Sequence, residues 1–268
     1  QYGGQSSDFG KGPPPHRACS AADRTGHTIL HTLYQQALKH GLECFENHFA
    51  LDLLFENNQC LGVTALDMDA GIIRAFQAPT TIIATGGHGQ TYAVNTSSNI
   101  CTGDGTAMVA RAGIGLQDME FVQFHPTGMV GSGFLITEAA RSEGAYLLNG
   151  KGERFMKNYA ANYMELAPRD IISRAIATEI ANGNGAGANK DHVLLSITHL
   201  EPDTISQHLP TVAENARTFA NIDVAKEAIA VSPSVHYTMG GIPTNRYCQV
   251  LNNNNKTVNG LLAIGEAA

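Results

Sequence analysis

The sequence predicts an α/β nucleotide-binding domain interrupted by an inserted α+β lid, on three observations. A mostly apolar, β-branched run, Thr80-Thr81-Ile82-Ile83-Ala84, passes directly into Thr85-Gly86-Gly87. In this pattern a buried strand of an α/β sheet delivers glycine backbone to a ligand. Gly260-Leu261-Leu262-Ala263-Ile264-Gly265-Glu266 repeats it near the other end, and the stretch between them carries helices and short strands of its own.

Taken in order, Gln1 to Pro15 is dense in glycine and proline and reads as a loop or extended cover. From Asp23 the apolar residues Ile29, Leu30, Leu33, Ala37 and Leu38 recur at helical spacing until Gly41, which predicts a helix over 24–40. Cys44 to Leu54, Gln59 to Asp67 and Ile72 to Ala78 are β-prone runs separated by Asn57-Asn58 and Asp69-Ala70-Gly71, an expected antiparallel meander. Gly103 to Ala112 and Pro168 to Gly183 read as helices, the second with Ile171, Ile172, Ala175, Ile176 and Ile180 on one face. A flexible turn over Asn182 to Gly187 ends it. His192 to Ile197 is an expected strand, Asp203 to Leu209 and Thr211 to Ala220 are expected helices broken at Pro210, and Ala230 to Pro233 leads into a loop.

Composition narrows the function. The 268 residues carry 43% hydrophobic and 15% charged side chains, 28 glycines and 10 prolines, a globular composition that excludes disorder and collagen-like structure. A net charge of −7 argues against general nucleic-acid binding, so an anionic ligand must be held by local positive charge. No apolar run approaches the roughly 20 residues of a spanning helix, and membrane contact would need a partner. Five scattered cysteines without Cys-x-x-Cys spacing argue against a zinc ribbon, an iron–sulfur site or a disulfide framework, and fit a reducing compartment. The first residue is Gln and the last follow an apolar run directly, so the chain reads as a piece of a longer protein.

Five constellations can carry chemistry. Ala84 to Gly89, Thr102-Gly103-Asp104-Gly105 and Gly265-Glu266 can form a backbone cradle for a phosphate or a ring edge, with the acidic groups accepting from hydroxyls. Each also reads as a tight turn. His125 of His125-Pro126-Thr127-Gly128 sits in extended or turn backbone, as a pocket imidazole or a satisfied loop histidine. Thr137 before Glu138 can cap a helix and bind a carboxylate, and Glu138 and Arg141, three apart, can pair. The alternative is a capped surface helix with an ordinary ion pair. Arg169, in a first helical turn behind Pro168, opposes the helix dipole, as a bound anion would favour or as a solvated arginine would tolerate. His236 leads into a Gly-Gly turn as a second anion-binding imidazole or a plain chain reversal. His27 and His31 lack the intervening glutamate of a zinc helix and read as packing or surface residues.

These residues resemble the succinate dehydrogenase and fumarate reductase family of flavoproteins along essentially the whole chain. The most specific parts are Gly3-Gly4-Gln5-Ser6, the run Ala21 to Tyr34, Gln117-Asp118-Met119-Glu120 leading into His125-Pro126-Thr127-Gly128, Glu153-Arg154-Phe155-Met156, and His236-Tyr237 with Met239 to Thr244. The resemblance implies a Rossmann-like FAD-binding domain interrupted by a capping domain, divided 1–119, 120–234 and 235–268. It implies that His125, Thr137, Arg169 and His236 surround a dicarboxylate, succinate or fumarate. The resemblance also implies that Arg169 is the proton-transfer residue, connected outward through Glu138 and Arg141, and that Asp104 and Glu266 serve FAD, with Thr85, Gly86 and Gly87 of the first glycine turn expected beside them. Its implied partners are an iron–sulfur subunit and membrane anchor subunits passing electrons to quinone. The implied location is peripheral, on the cytoplasmic face of a bacterial inner membrane or the matrix face of a mitochondrial one. The Gly-x-Gly-x-x-Gly fingerprint, the histidine that carries covalent FAD and a downstream arginine are absent from these residues, so the piece alone is not expected to turn over.

L-Aspartate oxidase is the rival within the same fold, because Glu165-Leu166-Ala167-Pro168-Arg169-Asp170 and Gly144-Ala145-Tyr146 resemble it as well. Fumarate reductase shares the same site residues. A non-catalytic assembly module is disfavoured by the presence of His125, Arg169 and His236 together.

Overall fold

The computed structural model describes residue 21 and residues 23–268. The expected loop Gln1 to Pro15 and the motif Gly3-Gly4-Gln5-Ser6 lie outside the described residues. In chain order the elements are α1 (Thr25–Lys39), β1 (His48–Glu56), β2 (Gln59–Asp67), β3 (Ile72–Gln77), β4 (Thr81–Ile83), α2 (Asp104–Arg111), β5 (Val122–Met129), α3 (Ala139–Ser142), β6 (Tyr146–Leu148), α4 (Arg169–Ala181), β7 (Val193–Ser196), α5 (Pro202–His208), α6 (Pro210–Ala220), β8 (Ile229–Thr238), β9 (Gln249–Leu251) and β10 (Thr257–Ala263).

The chain divides into two compact units, one of residues 43–123 with 235–268 and one of residues 124–234 with the N-terminal stretch to Leu42. The unit of residues 43–123 and 235–268 contains a six-stranded sheet in the order β1-β2-β10-β4, with β3 on β2 and β9 on β10. Its antiparallel meander follows from turn chemistry. Asn57 and Asn58 hold φ of 49° and 61°, the left-handed pair that a two-residue hairpin requires, and Glu56 then faces Gln59 across the ladder. Parallel β4 and β10 pair Leu261 with Thr81 and Ala263 with Ile83, so both β-to-glycine runs end on the same side of one sheet. Ile83, Met108, Val109, Leu261 and Ala263 form the core beneath it.

The other unit carries the sheet β5-β8-β7-β6. Helix α4 is helical for the reason its sequence suggests: Pro168 precedes its first residue, and Ile172, Ala175 and Ile176 bury one face against Leu147, Val193, Leu195 and Ile229. Ile176 is fully buried. Ile176→Ala is therefore expected to cost about 3 kcal/mol of unfolding free energy, measurable as a lowered urea midpoint with an unchanged slope.

One expectation is corrected. Ala230 to Pro233 does not lead into a loop but lies inside the ten-residue strand β8. Pro233 is tolerated because the β7 pairing covers only Ile229 to Val231, leaving the position without a ladder bond to donate there. His125 lies in the extended backbone of β5, one of the two conformations expected of it. Helix α1 forms as expected and ends where Gly41, at φ 64°, lets the Leu42 N–H reach the Ala37 carbonyl at 3.0 Å. It groups with residues 124–234. The reason is a contact remote in sequence: the Thr211 N–H and hydroxyl donate to the Asp23 carboxylate at 2.8 and 2.9 Å, and Arg24 Nε donates to the Thr211 hydroxyl at 3.2 Å. The apolar side chains Ile29, Leu30, Leu33 and Leu38 of α1 are exposed.

Candidate active site

In the unit of residues 43–123 and 235–268, the strand ends assemble a glycine-lined cradle. Gly86 takes φ 71°. A methyl group on Gly87 would collide with Glu266 Oε1 and with the Thr238 hydroxyl, so the absence of a side chain lets the carboxylate lie against the backbone. Glu266 Oε1 accepts the Thr238 N–H at 2.8 Å and its hydroxyl at 3.2 Å, which fixes it in place. Helix α2 starts at Asp104 behind Gly103, which is left-handed at φ 83°, and no side chain caps its first turn. The Thr102 hydroxyl donates to Asp104 Oδ2 at 2.5 Å. A side chain on Gly105 would strike the Thr85 hydroxyl, so α2 packs directly on the end of β4.

This arrangement fits FAD. Gly86 leaves its backbone partly open and the missing side chain at Gly87 brings Glu266 against the turn, the uncapped turn at Asp104 offers N–H groups to phosphate, and the carboxylates of Asp104 and Glu266 can accept from ribityl or ribose hydroxyls. His236 belongs to the same unit and is anchored by the 94–96 segment. Thr96 Oγ1 lies 3.0 Å from its Nδ1, and the Thr96 N–H donates to the Val235 carbonyl at 2.9 Å.

In the other unit the predicted residues Glu138, Arg141 and Arg169 come together. Arg169 Nε donates to Glu138 Oε2 at 2.9 Å, and Arg141 Nη2 stands 3.5 Å from the same oxygen. Arg169 is the first residue of α4, and Glu138 is the residue before α3. One carboxylate thus joins two guanidinium groups brought from separate elements. Burial holds the Arg141 guanidinium below its ordinary range; Glu138 opposes that effect and Arg169 adds to it. Thr137 accepts the Ala139 N–H at 3.4 Å, so the expected cap is a weak one on a helix of four residues. His125 is 1% exposed, and its Nδ1 accepts the Thr127 N–H at 3.2 Å, which places the proton of the neutral ring on Nε2.

Several partners were not singled out for these roles from sequence. Thr127 hydrogen-bonds His125 and donates its hydroxyl to the Ile136 carbonyl at 2.8 Å; Thr238 and Thr96 hold Glu266 and His236. Only the hydroxyl two residues after His125 was a signal available to spacing. Among the described residues no group of three or more His, Cys, Asp or Glu side chains could hold a metal ion. No helix among them is long and apolar enough to cross a membrane.

A family model described as FAD binding domain matches residues 2–268. The succinate dehydrogenase flavoprotein subunit of Rickettsia bellii is 54% identical over 271 residues, covering all of this chain and 46% of that protein. The mitochondrial succinate dehydrogenase flavoprotein subunit of Oryza sativa subsp. japonica is 53% identical over 272 residues, covering all of this chain and 43% of that one. Among solved structures, an E. coli quinol fumarate reductase is similar at a TM-score of 0.86 and 39% identity, over 93% of this chain and 44% of its own. The chain spans less than half the length of these relatives. A family match over nearly every residue, joined to a glycine cradle at the ends of two parallel strands, gives the classification: the chain belongs to the family of FAD binding domains.

Proposed function

We propose that the chain is part of a succinate dehydrogenase flavoprotein subunit that oxidises succinate to fumarate. The observation that carries this reading is the Arg169–Glu138–Arg141 array, an arginine beside a carboxylate that can pass a proton onward. The relatives named as succinate dehydrogenase flavoprotein subunits support it at 54% and 53% identity along the whole chain. In this reading residues 1–119 and 235–268 belong to the FAD-binding domain and residues 120–234 to the capping domain.

Thr85, Gly86, Gly87, Asp104 and Glu266 hold FAD, which supplies hydride-accepting chemistry when bound. His125, Thr137, Arg169 and His236 bind the dicarboxylate, two imidazoles, a hydroxyl and a guanidinium being groups suited to two carboxylates. Arg169 receives the proton that leaves the carbon next to the one giving up hydride, and Glu138 carries it between Arg169 and Arg141. A guanidinium is ordinarily no base, because its pKa lies above about 12. Arg169 therefore gives a proton to Glu138, whose carboxylate lies 2.9 Å from its Nε, as it takes one from the substrate carbon, and Glu138 passes that proton outward. Electrons then pass to an iron–sulfur subunit and membrane anchor subunits and on to quinone. The assembly sits peripherally on the cytoplasmic face of a bacterial inner membrane or the matrix face of a mitochondrial one.

Rates of the full-length flavoprotein with succinate and an artificial electron acceptor test this reading, beside rates with L-aspartate and oxygen. Succinate-dependent acceptor reduction blocked by malonate is the expected result. Aspartate-dependent peroxide formation without succinate turnover overturns it and moves the protein to the L-aspartate oxidase branch. Rates in the fumarate-reducing direction establish which direction is faster.

A further inference from the structure

Behind Arg141 lies a second ion pair that the proposed chemistry does not use. The Arg141 side chain is almost wholly buried; its Nε and Nη2 find no hydrogen-bond acceptor, and its Nη1 donates to the main-chain carbonyl of Glu165 at 2.7 Å. Glu165 sits in the short 3₁₀ turn Met164–Leu166 and is 2% exposed. Its carboxylate accepts Arg154 Nη2 at 2.6 Å, Arg154 Nε at 2.8 and 3.1 Å, and the Leu147 N–H at 3.2 Å. Arg154 lies 4.1 Å over the Tyr146 ring, and that ring stacks on His199 at 3.9 Å. Both Glu165 oxygens are thus engaged, and the arginine that engages them is itself braced from above.

The geometry points to the Arg154–Glu165 pair as a positioning device for Arg141: it fixes the guanidinium beside Glu138, at the outer end of the Arg169–Glu138–Arg141 relay, and favours its resting protonated form. The inference rests on the proposed dehydrogenase reading. The charged groups facing Arg141 are Glu138 before its own helix, Arg169 from α4 and Glu165 from the 3₁₀ turn, with Arg154 behind Glu165. Burial and Arg169 both disfavour the Arg141 cation, and Glu138 and Glu165 favour it. Glu138 is shared with Arg169, which holds the shorter bond to it. Glu165 is therefore the carboxylate near Arg141 that Arg169 does not also engage by any of these contacts. Arg154 is placed to brace that carboxylate, and its own raised pKa, caused first by the hydrogen bond to Glu165, keeps the brace charged.

Glu165→Gln, Glu165→Asp and Arg154→Lys in the full-length, FAD-loaded flavoprotein test the assignment through the pH profile of succinate turnover. Glu165→Gln removes a charge that favours protonated Arg141, so Arg141 loses its proton at lower pH. The basic limb of kcat is expected to move down by about one pH unit, with KM for succinate within about twofold because Glu165 is not assigned to the substrate. Glu165→Asp restores a carboxylate and is expected to return the limb, and Arg154→Lys keeps the cation and is expected to leave it in place. FAD absorbance and thermal midpoint, read in parallel, separate this from a folding defect. A wild-type pH profile in Glu165→Gln overturns the assignment, as does an equal loss at every pH in both Glu165 variants that follows a falling midpoint. A wild-type protein without succinate turnover overturns the dehydrogenase reading and this inference with it.

Discussion

Arg169→Gln in the full-length flavoprotein is expected to lower succinate turnover roughly a thousandfold, within the range for loss of a proton-transferring side chain, while FAD remains bound at wild-type occupancy. The two effects separate because of where the residue sits. Arg169 opens α4 in the unit of residues 124–234, and the glycine cradle is built from Gly86, Gly87, Asp104 and Glu266 in the other unit. Its side chain is about one-third exposed and pairs with Glu138 rather than with the core, so its loss leaves no large cavity. Arg169→Lys is the sharper variant. A lysine restores a positive charge but not the planar fork whose Nε donates to Glu138. If Arg169 only attracts the dicarboxylate, Lys rescues kcat and raises KM modestly. If it moves the proton, Lys leaves kcat low. Steady-state kcat and KM measured with the flavin absorbance decide between them, and wild-type turnover in either variant removes Arg169 from the proton-transfer role.

What was legible in the sequence was local. Helix α4 announces itself through Pro168, the Ile172, Ala175 and Ile176 stripe, and Gly183 beyond its end. The β1–β2 hairpin announces itself through two asparagines, which tolerate the left-handed backbone the turn demands. Both β-to-glycine strands are visible as apolar runs that stop at glycine, and they prove to be parallel neighbours. The strand β8 was hidden because Pro233 reads as a break, and only the end of the β7 pairing at Val231 explains why it is tolerated. Strand β6 has three residues, too few for a period-two pattern to register. The grouping of α1 was invisible because it depends on Asp23 meeting Thr211, 188 positions away.

The candidate site divides along the same line. The three-residue spacing of Glu138 and Arg141 revealed that they could pair, yet the shorter bond of Glu138 runs to Arg169, 31 residues downstream. Arg154 and Glu165 stand eleven apart with a 3₁₀ turn and irregular chain between them, so neither helical nor strand periodicity could have joined them. Charges that meet inside a protein are chosen by burial, which raises the cost of leaving any one of them unpaired, and a linear pattern carries no record of burial.

Gly87→Ala tests the cradle by the room it leaves. The added methyl would meet Glu266 Oε1 and the Thr238 hydroxyl, and neither can withdraw freely, because Glu266 Oε1 already accepts two hydrogen bonds from Thr238. Relieving the collision breaks those bonds and turns the carboxylate away from the backbone. A hydrogen bond to a charged group is worth about 1.5–3 kcal/mol, so FAD affinity in the full-length protein is expected to fall between about tenfold and about a hundredfold. Glu266→Gln separates room from charge. It keeps the side chain's shape and its acceptor for the Thr238 N–H while removing the negative charge, so it should weaken FAD binding without the displacement caused by the methyl. Titration of apoprotein with FAD, followed by flavin fluorescence quenching, measures both variants against the wild type. If Gly87→Ala binds FAD with wild-type affinity, Glu266 has no part in holding the dinucleotide, and the cradle reduces to a close-packed turn at the end of β4.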